Sequence, residues 1–203
     1  EVDRLFGVPQ PIEHHPEVDT GIHTLMVLDK AAELTHDVSV RFAGLMHDLG
    51  KAETPQDLWP KHHGHEERSA LLTEKIGQRL SVPTAYLQLA KLVARYHTHC
   101  HRVFELRSGT LVDLLGTLDA FRNPSRFEKF LIACKADSQG RTGFENKPYP
   151  QMDYMQAMRQ ACLSVTVQPF IEQGLQGKAI GKAIREARIK IVSEMKQKYD
   201  VDD

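Results

Sequence analysis

An all-α bundle with a helical extension toward the C-terminus is the fold this sequence predicts. Three observations predict it. Apolar residues recur at three- and four-residue spacing along most of the chain. Pro and Gly punctuate loops at 52–64 and 140–150. No stretch alternates polar and apolar residues as a half-buried strand requires.

The elements follow in order. A helix over 20–34 opens with Thr20 as N-cap and carries Ile22, Leu25, Met26 and Ala32 on its core face. A second, 38–49, follows Asp37, with Val38, Phe42, Leu45, Met46 and Leu49 at helical spacing and Gly50 in a C-terminal cap position. Beyond the loop with Pro55, Pro60 and Gly64, helices are expected at 65–80, at 83–98 after Pro83, and at 109–121 after Ser108. Asn123 as cap and Pro124 in the first turn open 124–139. After the loop Gly-Arg-Thr-Gly-Phe-Glu-Asn-Lys-Pro-Tyr-Pro, a helix at 152–168 stops before Pro169. A last helix, 177–198, places Ile180, Ile184, Ala187, Ile191 and Met195 on one face. The expected division is a connecting segment 1–19, a core domain 20–140 and a helical tail 141–203, with 140–150 as the boundary.

Composition bounds the function. With 203 residues, 41% hydrophobic and 26% charged, the chain reads as an ordinary soluble globular protein. A net charge of -1 exerts no global pull on nucleic acid, so any such contact must come from a local patch. Cys100, Cys134 and Cys162 form no CxxC pair and suggest reduced thiols in a cytoplasmic protein. No apolar run approaches the ~18 residues of a membrane span, so no membrane partner is expected. The chain begins Glu-Val-Asp-Arg, without signal-peptide character and without an initiator Met, and is expected to be a piece of a longer protein.

The chemistry concentrates in His47-Asp48, within His-Asp-Leu-Gly-Lys. An imidazole beside a carboxylate is half of a mixed nitrogen/oxygen site for a divalent cation. His23, on the first helix, and Asp119, within the apolar Leu-Leu-Gly-Thr-Leu-Asp-Ala-Phe, complete the pattern His…His-Asp…Asp. A carboxylate buried in such a helix needs a partner, and a cation supplies one; pairing with Arg122 is the plain alternative. Asp137, beside Arg141, competes for the fourth position. His97 and His101, four apart, share a helix face and with His65 suit a second metal or a substrate phosphate. His14, His36, His62 and His99 read as solvated or structural. A structural zinc is disfavoured because no second sulfur ligand is near Cys100. On the final helix, Lys178, Lys182, Arg185 and Arg188 recur at spacings of 4, 3 and 3 and form a basic stripe able to track phosphates. On pattern alone, a solvated face is the stronger reading of that stripe.

The order and spacing of His23, His47-Asp48 and Asp119 resemble the HD superfamily of metal-dependent phosphohydrolases. Leu-Phe-Gly-Val-Pro-Gln (5–10), His-His-Pro-Glu-Val-Asp-Thr-Gly-Ile-His-Thr (14–24), Val-Arg-Phe-Ala-Gly-Leu-Met-His-Asp-Leu-Gly-Lys (40–51) and Trp-Pro-Lys-His-His-Gly-His-Glu (59–66) look like the bacterial tRNA nucleotidyltransferase family. Leu-Asp-Ala-Phe-Arg (118–122), Lys-Ala-Asp-Ser-Gln-Gly-Arg (135–141) and Gly-Lys-Ala-Ile-Gly-Lys-Ala-Ile-Arg (177–185) continue the likeness. It implies the HD-bearing C-terminal half of such an enzyme. The nucleotidyltransferase head is missing, and the only Asp-x-Asp is Asp200-Val201-Asp202 in the tail. The resemblance implies an HD helical bundle that hydrolyses nucleoside 2′,3′-cyclic phosphates and 2′-phosphates and contacts tRNA, and it tips the basic stripe toward RNA. It implies a divalent ion on His23, His47, Asp48 and Asp119. Mixed ligation suits Ni, Mn, Co, Fe or Zn, with Mg possible when substrate phosphate assists. Asp48 would orient the nucleophile, and Lys51 and His97 would stabilise the phosphate or protonate the leaving oxygen.

Overall fold

The structure is a computed structural model and describes residues 1–199; Asp200 and Asp202 lie outside the described residues. The elements are α1 (Thr20–Leu34), α2 (Val38–Met46), α3 (His65–Arg79), α4 (Thr84–His101), α5 (Ser108–Thr117), α6 (Pro124–Gln139), α7 (Pro150–Leu163), α8 (Gln168–Glu172) and α9 (Lys178–Tyr199). Short 3₁₀ turns occur at Asp3–Leu5, Leu49–Glu53, Gln56–Leu58 and Val103–Glu105. The described residues contain no strand beyond an isolated bridge between Pro9 and Asp19. The all-α expectation holds.

The chain divides into two compact units. The first comprises 1–101 and 128–149, and the second 102–127 and 150–203. The chain passes from one unit to the other after residues 101, 127 and 149. In the first unit, α2 and α3 pack on α4, and α1 packs on α2. Its buried apolar residues include Val27, Val40, Ala43, Met46, Leu89, Val93, Phe130 and Leu131. In the second, α5 and α7 pack on α9 around Leu111, Leu115, Met155, Met158 and Val192. Apart from the smaller Ala43, each such side chain contributes about 1.5–3 kcal/mol through burial.

Two helix starts show how local chemistry sets the boundaries. Asp19, not Thr20, caps α1: its Oδ1 accepts from the Ile22 amide at 2.9 Å and its Oδ2 from the Gly7 amide at 2.6 Å. Thr20 instead donates its hydroxyl to the Val8 carbonyl at 2.8 Å. Asp37 caps α2 through the Ser39 amide at 2.8 Å and pairs with Lys129 at 2.7 Å. Burial opposes the Asp37 charge, yet Lys129 and Ser39 outweigh it and lower its pKa to about 2. The Asp37→Ala variant should be about 1 kcal/mol less stable at neutral pH, lowering Tm by roughly 2–4 °C. Because the folded-state pKa lies below the ordinary 3.8, the difference between variant and native chain should be full above pH 4 and vanish as pH falls through about 2. Denaturant midpoints measured along that pH range check it.

The buried face of α1 differs from the expected one. Gly21, His23, Thr24, Val27 and Ala31 face inward, whereas Ile22 and Leu25 are 47% and 45% exposed. Apolar periodicity misreads this helix because its inward face carries polar site residues.

Candidate metal centre

The site lies within the first unit, among α1, the end of α2, the start of α3, the end of α4 and the last turn of α6. His47 and Asp48 fall just beyond α2, where Asp48 takes φ -112° and ψ 10° and the chain tightens into the Leu49–Glu53 turn. That turn lies directly on α3. The Gly50 amide donates to Ser69 Oγ at 2.8 Å, and Arg68 Nε donates to the Gly50 carbonyl at 3.0 Å. A Cβ at Gly50 would stand 2.3 Å from the His65 carbonyl oxygen. Gly50 is thus not a helix cap; it permits the close approach that brings Asp48 to His65.

Five side chains of the cluster are almost fully buried: His23, His47, Asp48, His97 and Asp137. His23 Nε2 lies 3.1 Å from Asp137 Oδ1. His47 Nε2 lies 3.1 Å from Asp48 Oδ2 and 3.5 Å from Asp137 Oδ1. Asp48 Oδ1 faces His65 Nε2 at 3.3 Å and His97 Nε2 at 3.6 Å. His101 Nε2 meets Asp137 Oδ2 at 2.7 Å, and its Nδ1 meets the Tyr149 hydroxyl at 2.9 Å. Lys51 donates to Asp48 Oδ2 at 2.6 Å. His97 and His101 share a face of α4, as their spacing predicts.

Three ring orientations are fixed by the backbone. Nδ1 of His47 faces the Gly44 carbonyl at 2.7 Å, that of His65 the His62 carbonyl at 2.9 Å, and that of His97 the Val93 carbonyl at 3.0 Å. A carbonyl only accepts, so each Nδ1 carries the proton and each Nε2 is left to coordinate. Burial disfavours charge on His47, but Asp48 and Asp137 outweigh it and raise its pKa to about 10. The same pairing holds both carboxyls well below the usual range against their own burial. Burial pushes His97 down to about 3, leaving it neutral.

These residues fit a divalent cation. His47 Nε2, Asp48 Oδ1 and His65 Nε2 are buried without a hydrogen-bond partner. Each orphaned polar atom costs roughly 1–3 kcal/mol, and cations would partner them: His47 groups with His23 and Asp48, and His65 with Asp48 and His97. Such an ion would replace the His47 proton as the positive charge between the carboxylates.

Asp119 does not join this cluster. It belongs to the second unit and follows α5 rather than lying inside a helix. With φ 56°, it occupies the left-handed position of a helix-ending turn: its amide donates to the Gly116 carbonyl, and that of Ala120 to Leu115. Aspartate tolerates this conformation better than most residues. Its carboxylate pairs with Arg122 at 2.6 Å and Arg126 at 3.1 Å. Asp137, the competing candidate, has the place beside His23 and His47.

Sequence reasoning missed part of the site. His15 and Glu17 lie in the segment read as a connector, yet Glu17 Oε1 is 3.1 Å from His15 Nδ1 and 2.9 Å from His23 Nδ1, the latter off the line of a hydrogen bond. Burial pushes His15 to about 4. Between them and α1, Val18 adopts φ 61°, a strained conformation for a β-branched residue that costs about 1–3 kcal/mol. The available signal was the string His-His-Pro-Glu ahead of His23. His62 is structural, as expected: it bonds Thr54 Oγ1 and the Pro9 carbonyl. On α9, Arg185 forms a two-bond pair with Asp113, and Arg188 stacks over Phe121 at 3.9 Å. Lys178 and Lys182 are exposed.

The family description HD domain matches residues 20–114. The chain carries an HD domain over those residues. It is 52% identical over 98% of its length to the Multifunctional CCA protein of Thioalkalivibrio sulfidiphilus, and 54% identical over 97% to that of Methylococcus capsulatus. To the Nitrosococcus oceani protein of the same name it is 53% identical over 96%. This HD chain spans about half the length of these curated relatives, 49%, 46% and 48% respectively. No solved structure matches it. Among the described residues, no helix is long and apolar enough to cross a membrane.

Proposed function

We propose that the chain is a metal-dependent phosphohydrolase that cleaves nucleoside 2′,3′-cyclic phosphates and 2′-phosphates, as the C-terminal part of a CCA protein. The observation that carries this is the buried convergence of His23, His47, Asp48 and Asp137, in which His47 Nε2 and Asp48 Oδ1 lack a hydrogen-bond partner. These four residues are the proposed ligands of one divalent ion, Ni, Mn, Co or Mg. When bound, that ion supplies acidification of water and screening of phosphoryl charge.

The protein's own groups divide the remaining work. Asp48, anchored by Lys51, orients the attacking water on its open oxygen. Neutral His97 presents its Nε2 lone pair toward Asp48, beside His65 Nε2, and can accept a proton near phosphorus. His101 holds Asp137 in place and is itself oriented by Tyr149. His65, His97 and Asp48 also form a group able to hold a second ion, and the orphaned His65 Nε2 favours that reading.

The test is hydrolysis of 2′,3′-cAMP with Ni, Mn or Mg. The His47→Ala/Asp48→Ala double variant should lose at least about a hundredfold in kcat/KM. Equal activity in both proteins would sink the hydrolase reading.

Contact with tRNA is the proposed role of α9. Because Arg185 and Arg188 are engaged inside the second unit, Lys178 and Lys182 are the side chains proposed to meet phosphate. Reversing both to Glu should weaken tRNA binding at low salt and flatten the salt dependence by about two charges. An unchanged salt slope rejects it.

A further inference from the structure

We propose that Gln10 is a substrate-binding residue whose side-chain amide donates to a phosphoryl oxygen at the HD site. This rests on the hydrolase reading above.

Gln10 is 2% exposed although it lies in the irregular segment before α1. The segment is tightly fixed. The Gln10 amide donates to the Val18 carbonyl at 2.7 Å, and the neighbouring Pro9 carbonyl accepts from His62 Nε2 at 2.8 Å. Thr20 secures the Val8 carbonyl through both its amide and its hydroxyl. The Gln10 side chain therefore projects from an anchored backbone.

Its orientation follows from chemistry. Lys51 Nζ lies 2.5 Å from Gln10 and also donates to Asp48. An ammonium only donates, so the atom facing it must be the amide oxygen. The Nε2 group, with two N–H bonds, is then left buried with no acceptor. Such a group costs free energy unless something completes it, and native proteins retain few of them. Here the donor stands two hydrogen bonds from Asp48, beside a lysine whose charge favours an anionic oxygen over a neutral hydroxyl. A phosphoryl oxygen meets both conditions.

Inorganic phosphate is the probe, titrated into the full 203-residue chain loaded with Mn(II); Mn(II) affinity is measured separately. Gln10→Leu should raise the phosphate Kd by about tenfold or more, the effect of losing one hydrogen bond to a charged group, with Mn(II) affinity retained. The same variant should raise KM for 2′,3′-cAMP. A phosphate Kd equal to that of the native chain, or absence of phosphate binding by the Mn(II)-loaded native chain, overturns the assignment. A loss of Mn(II) affinity in Gln10→Leu also overturns it, because Gln10 would then act on Asp48 through Lys51. If the leucine variant does not fold, Gln10→Glu keeps the shape and removes the donor, and an unchanged phosphate Kd in it has the same meaning. Failure of the hydrolase reading shows independently, as equal activity of the native chain and the His47→Ala/Asp48→Ala variant.

Discussion

Replacing Asp137 by Ala should lower metal-supported hydrolysis by roughly a hundredfold or more and weaken Mn(II) binding in parallel, whereas Asp119→Gly should leave both unchanged. Asp137 accepts His23 on one oxygen and His101 on the other and lies 3.5 Å from His47. Removing it takes away the carboxylate that faces both His23 and His47 and leaves Asp48 as the carboxylate against His47, with Glu17 on the far nitrogen of His23. Asp137→Asn, which keeps the shape, separates loss of charge from loss of packing and should be nearly as inactive. Asp119 carries a backbone role instead. Glycine is at ease at φ 56°, so the fold should keep its end turn and lose only half-exposed ion pairs, worth at most about 1 kcal/mol. Calorimetry with Mn(II), run beside the 2′,3′-cAMP assay, checks both. Full activity in Asp137→Ala would move the metal elsewhere.

Gly50→Ala should be the most destabilising single methyl in the first unit. Its Cβ would meet the His65 carbonyl oxygen at 2.3 Å, the Ser69 amide nitrogen at 2.6 Å and Arg68 Cβ at 2.8 Å. Two of these are backbone atoms of α3, which cannot rotate aside, so the turn and the helix must separate. The expected cost is about 3 kcal/mol or more, a Tm lower by roughly 6–12 °C. Separation also carries Asp48 away from His65, so the surviving folded protein should hydrolyse poorly. Gly116→Ala is the contrasting control. Nothing lies within 4 Å of its added methyl, and a helical alanine should gain about 0.5–1 kcal/mol. Thermal unfolding of the two variants beside the native chain decides the matter.

The helices were legible because caps and periodicity are local. The limits of α1 and α6 coincide with those read from sequence, and α9 differs by one residue at each end. His97 and His101 share a face of α4 because four-residue spacing on a helix fixes one, and His23, His47, Asp48 and His65, singled out in the sequence, lie in the same unit. Two things were not legible. The position of Asp119 turned on where α5 ends, and the end was written in backbone hydrogen bonds at Gly116 and Leu115 rather than in hydrophobic pattern. The segment before α1 looked like a linker because Pro, Gly and His are common in linkers. Its contribution depends on contacts between residues far apart in sequence, such as Gln10 with Lys51, which no periodicity encodes.

That leading segment has a practical consequence for dissecting the molecule. A fragment begun at residue 20, the first matched by the HD description, would keep all four proposed ligands. It would lose the side chains that flank His23 and Lys51 and the carbonyls that anchor His62 and Thr20. Ion capture and substrate handling would then come apart: the trimmed piece would load metal yet turn over slowly, and its sluggishness would be mistaken for a property of the family rather than of the scissors.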